Sequence, residues 1–75
     1  MKKYSLIVYI REGTKQNLRS TNNYQTYEKA RIDLEKEVQG LGLSLEGAEE
    51  KYETPGEKFY ASWNNNNTIT IIKIC

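Results

Sequence analysis

Tyr27, Ala30, Leu34, Val38 and Leu41 recur at spacings of three, four, four and three. Residues three and four apart share one face of an α-helix, so these five form a single apolar stripe. Glu28, Lys29, Arg31, Asp33, Glu35, Lys36, Glu37 and Gln39 fill the gaps and belong in water. Thr26 stands where an N-cap oxygen can accept from the free backbone N–H groups of the first turn. Gly40 and Gly42 stand where the helix can end, because glycine enters the left-handed conformation without a Cβ penalty. This stripe must be buried against something, and the remaining apolar residues occur in strand-like patterns.

In Tyr4–Ile10, Tyr4, Leu6, Val8 and Ile10 fall on one face and Ser5, Ile7 and Tyr9 on the other, as in a strand. Apolar residues on both faces predict a central position. After the turn signal Glu12-Gly13-Thr14, the polar stretch 15–23 reads as a loop or, by preference, a short edge strand around Asn17–Thr21. Ser44 is placed to cap a second short helical turn, with Leu45, Ala48, Glu49 and Tyr52 at helical spacing and Gly47 against it. Thr54-Pro55-Gly56 breaks the chain. Phe59, Ala61 and Trp63 then alternate with Tyr60 and Ser62, and the run Asn64–Asn67 reads as a hairpin loop. In the final strand Ile69 and Ile71 share one face, Ile72 and Ile74 the other; this phase switch means two buried faces or a bulge near Ile71. The expectation is one α+β domain over residues 1–75. Its order is β(β)αββ, a small antiparallel sheet with one main amphipathic helix packed on one face.

At 75 residues the chain buries only about 60–65% of its unfolded surface. With a single cysteine it cannot form an internal disulfide, which points to a reducing cytoplasm. No apolar run approaches the roughly 18 residues of a membrane span. Histidine is absent, and one terminal cysteine cannot build a zinc site. Gly13, Gly40, Gly42, Gly47 and Gly56 never approach phosphate-loop spacing. Asp33, Glu35 and Glu37 do not converge on a helix, and Glu49-Glu50 sits in a polar segment that offers no burial to raise a pKa. These features argue against an enzyme: no catalytic residue, cofactor or metal ligand is assigned.

Binding is the remaining class. The net charge of +1 hides an asymmetry: residues 1–31 carry seven basic and two acidic side chains, and residues 32–57 carry two basic and eight acidic. Arg11, Lys15, Arg19, Lys29 and Arg31 could gather into one nucleic-acid-binding patch, with some of the tyrosines as stacking surfaces. The chain lacks the strong basic excess of most nucleic-acid modules, and the same charges also read as a solvated rim. The acidic stretch Glu46, Glu49, Glu50, Glu53 and Glu57 is either a solvated connection or a phosphate-like surface for a basic partner. Ile32 lies opposite the stripe, near Glu35. It is either an ordinary exposed residue or an anchor for another chain.

The strand Ser5–Ile10, the phrase Tyr24-Gln25-Thr26-Tyr27-Glu28-Lys29-Ala30 and the closing Thr70–Ile74 strand give the chain its likeness. It resembles small single-domain accessory proteins of phages and prophages, some of which, the anti-CRISPR type among them, inhibit a host defence protein without catalysis. The resemblance implies a non-enzymatic protein-binding inhibitor. Its partner would be a host protein, with a nucleic-acid-binding defence protein among the candidates. The resemblance carries over no residue; the candidate contact residues Glu46, Glu49, Glu50, Glu53, Ile32 and Glu35 come from the acidic stretch and the outer helix face. A homodimer is expected through the sheet side, at an exposed edge of the final strand, with the Ile32 helix face as the other candidate.

Overall fold

A computed structural model describes residues 3–75. The first elements are β1 (Tyr4–Glu12), β2 (Lys15–Tyr24) and α1 (Tyr27–Gly40). A 3₁₀ turn (Leu45–Gly47) follows, then β3 (Glu50–Thr54), β4 (Lys58–Asn65) and β5 (Thr68–Ile74). The strands form one antiparallel sheet in the order β2-β1-β5-β4-β3, with the helix across one face.

The helix forms where its stripe predicts. Thr26 is extended at the N-cap, and its side chain accepts from the Lys29 amide. At the other end Gly42 takes φ +73°. That left-handed step lets the Gly42 amide donate to Gln39 and the Leu43 amide to Val38, closing the helix with a Schellman motif. Tyr27, Ala30, Leu34 and Val38 are buried against Leu6 and Val8 of β1, Phe59, Ala61 and Trp63 of β4, and Ile72 and Ile74 of β5. Trp63 meets its polar need without leaving the core, because its Nε1 donates to the Ser44 carbonyl at 2.7 Å.

Four sequence expectations are revised. The helical spacing from Leu45 to Tyr52 yields only the 3₁₀ turn, after which Glu50–Thr54 pairs with β4 as a fifth strand. β2 is longer than expected and includes Asn22 and Asn23, which pair with Leu6 and Ser5. The bulge offered as one alternative near Ile71 does not form, since β5 pairs in unbroken register with β1 and β4; the irregularity instead falls between β1 and β2, where Arg19 is the extra residue between Leu18 and Ser20. The final strand is not an edge. β5 lies at the centre between β1 and β4, while β2 and β3 form the edges.

Leu34 is fully buried and Ile32 is 54% exposed. Leu34→Ala should therefore cost about 2–5 kcal/mol. Ile32→Ala should shift stability by no more than about 0.5 kcal/mol. Urea unfolding followed by circular dichroism reads both, and equal midpoints for the two variants would contradict the helix orientation.

Candidate functional site

One helix covers one face of the sheet, and the register shows what the other face carries. Residues paired across neighbouring antiparallel strands point the same way. Leu18, Tyr9, Ile71, Ser62 and Glu50 therefore form one row across all five strands. Thr21, Ile7, Lys73, Tyr60 and Tyr52 form the next, and Gln16, Arg11, Ile69 and Asn64 a third. Ile7, Tyr9, Tyr60, Ile69 and Ile71 are half-buried by each other, without a second layer above them among the described residues. Leu18 and Tyr52 flank them at 55% and 63% exposure. A contiguous apolar sheet face of this kind marks a contact surface more often than a solvated one.

Polar groups are held at defined places on this face. The Lys73 ammonium lies 5.5 Å from the centre of the Tyr9 ring, a cation–π contact. Tyr52 and Tyr60 pack at 5.6 Å between ring centres, and the Tyr52 hydroxyl donates to Glu50 at 3.0 Å. Arg11 Nη2 donates to Gln16 Oε1 at 2.8 Å. A groove of about 510 Å³ opens where β3, β4 and β5 meet, lined by Tyr52, Thr54, Tyr60, Lys73 and Cys75 among others. Cys75 is a free, exposed thiol.

The residues singled out from sequence do not gather as expected. Arg11 lies on the helix-free face, and Lys15 and Arg19 are exposed on the β2 edge. Lys29 and Arg31 belong to the helix on the opposite side, so the five basic residues make no single patch. The acidic residues divide as well. Glu35 and Glu46 line a depression of about 350 Å³ between the helix and the 3₁₀ turn. Glu49 and Glu50 border the helix-free face, in a depression shared with Arg11, Ile69 and Ile71. Ile32 stands apart on the outer helix surface.

Glu53 is committed to the fold. It pairs with Phe59 and points under the helix, where the Tyr27 hydroxyl donates to its carboxylate at 2.5 Å and Arg31 Nε at 3.1 Å. The Arg31 guanidinium also lies 4.7 Å from the Phe59 ring centre and its Nη1 is 3.4 Å from Glu35. That last contact is an ion pair without hydrogen-bond alignment, since the buried Nη1 has no hydrogen-bond partner. Sequence reading missed both this node and the helix-free face. Its signal was present in the final strand, where isoleucines on both faces required two covers. Among the described residues no group of three or more His, Cys, Asp or Glu could hold a metal ion. No helix among the described residues is long and apolar enough to cross a membrane.

The node shapes the response to pH. The Tyr27 hydroxyl bond holds the Glu53 carboxyl below its usual range, helped by Arg31 and opposed by burial. Burial, then the bonds to Glu53 and Asp33, push Tyr27 and Tyr24 up from 10 to about 12. The Glu53 contribution is present above its unfolded pKa and is lost as pH falls through the lowered folded value. The tyrosine contributions are full below pH 10 and are lost between about 10 and 12. Ultraviolet titration of the phenols should show Tyr24 and Tyr27 ionising late, with unfolding as they do so. Glu53→Gln should flatten the acid limb of stability and bring the Tyr27 step earlier. Six phenols titrating together in a folded chain would contradict the node.

Compared with family models, with curated proteins and with solved structures, the chain finds no match.

Proposed function

We propose that this chain is a non-enzymatic protein-binding module whose working surface is the helix-free face of the sheet. The observation that carries the reading is the run of Ile7, Tyr9, Ile69, Ile71 and Tyr60 across three adjacent strands without a covering layer. Interface cores favour this mixture of aliphatic and tyrosine side chains, with charges moved to the rim. Glu49, Glu50 and Arg11 supply such a rim here. The likeness to phage accessory proteins supports a finer role, inhibition of a host defence protein by occupation of its surface. Action in the cytoplasm goes with that role, since the lone Cys75 leaves no internal disulfide for an oxidising compartment.

A second reading rests on Tyr9, Tyr52 and Tyr60 sharing the face with Lys73 and Arg11, a set that could stack single-stranded nucleic acid. The aliphatic centre and near-neutral charge favour a protein. Gel shifts across a salt series separate the two, because nucleic-acid affinity falls steeply with salt.

The test of the main reading is Ile71→Lys. It should leave the circular dichroism spectrum unchanged, because Ile71 is outside the helix-covered core. Binding to a protein captured by the parent chain should weaken by about 30-fold or more, the loss expected at an interface hot spot. Full affinity in the Ile71→Lys variant would remove this face from the binding reaction.

A further inference from the structure

We infer that the partner which this face fits is a second copy of the chain, stacked sheet on sheet about a two-fold axis parallel to β5. The inference rests on the protein-binding reading above and names the partner of this face, so that any action on a host protein would fall to the assembled dimer.

The first argument is charge. On the helix-free face the β1–β2 side carries Arg11 and no acidic residue, and Arg19 stands on the β2 edge. At the other edge Glu49 and Glu50 border the same face. β5 is the middle of the five strands. Rotation about an axis along it therefore places β2 of each copy over β3 of the other, and β1 over β4. Arg11 and Arg19 of each copy then approach Glu49 and Glu50 of its mate, and symmetry makes the contact twice. A two-fold axis across the strands would instead set β2 over β2 and β3 over β3, like charge on like. Charge thus selects one of the two face-to-face arrangements.

The second argument is the apolar centre. Ile69 and Ile71 lie on the axis and meet their own copies. Tyr9 falls over Ser62, the one buried polar residue of this face, at 7% exposure. Lys73 also lies on the axis and would meet itself, but its ammonium is drawn sideways over the Tyr9 ring. The third argument is size. The molecule's longer extents are 39 and 24 Å. A face within those bounds is on the scale of the roughly 800 Å² per partner that a stable interface buries. Extension through the sheet edges is disfavoured, since β2 and β3 carry Lys15, Arg19 and Lys51.

A charge-swap experiment decides. Light scattering and sedimentation across micromolar concentrations should find the parent chain dimeric. Arg11→Glu and Glu50→Lys should each weaken self-association by at least about tenfold while the circular dichroism spectrum is kept. Mixing the two variants should restore the dimer, because each rim contact is then between opposite charges. A misfolded variant could not be rescued in this way. A parent chain that stays monomeric throughout overturns the inference. So does a dimer that neither variant weakens, or whose loss mixing does not repair. The protein-binding reading fails separately: it survives a monomeric parent chain if Ile71→Lys still abolishes capture of another protein, and falls only if that variant changes nothing.

Discussion

A single helix can cover only one side of a sheet. In a chain of 75 residues that limit governs everything else. The 14-residue α1 is about 21 Å long at 1.5 Å per residue, enough to lie across the strands on one side. Its stripe seals Leu6, Val8, Phe59, Ala61, Trp63, Ile72 and Ile74 into the core. Ala30, fully buried, brings the backbone close to the sheet, so that larger neighbours close around it. Among the described residues the opposite side has no such cover, and its isoleucines and tyrosines shield each other.

β3 is attached by a different logic. None of its residues is buried, so hydrophobic packing contributes little to holding it. The backbone ladder to β4 supplies one attachment, and Glu53 the other. Its carboxylate accepts from the Tyr27 hydroxyl and from Arg31, two donors on successive turns of the helix. Charge-assisted bonds of this kind are stronger than neutral ones. Arg31, stacked on Phe59, is in turn fixed by the core. An acidic residue thus joins an otherwise polar edge strand to the helix. Tyr4 extends the same end of the molecule, packing edge-on against Tyr27 at 5.9 Å and donating to the Gly56 carbonyl.

What could be read from the sequence was what local periodicity controls. The helix, its Thr26 cap and the Gly42 exit were legible because each depends on residues within a few positions of one another. β1 as a central strand was legible from its two apolar faces. β3 was not. Leu45, Ala48, Glu49 and Tyr52 fit helical spacing, and the strand that forms instead depends on β4, a partner no local pattern announces. The basic cluster failed for a related reason. Arg11 and Arg31 share a charge and a half of the chain, but the hairpin and the helix carry them to opposite sides of the sheet. Glu53 looked like its acidic neighbours because strand alternation, which turns it inward, appears only once the strand is known.

The pairing of β1 with β5 sets the order of assembly. Ser5 and Cys75 exchange both backbone hydrogen bonds, at 2.9 and 3.0 Å, so the middle of the sheet joins segments from opposite ends of the sequence. The hairpins β1–β2 and β4–β5 can form early, since their loops close over two residues each. Neither completes the core alone, because Leu6 and Val8 belong to one and Ile72 and Ile74 to the other. During synthesis the helix stripe therefore has no finished surface to settle on until the last strand has left the ribosome. Folding then waits on one long-range closure whose cost is chain entropy. The domain is thus built to fold in one step once β5 is present, rather than element by element as the chain emerges.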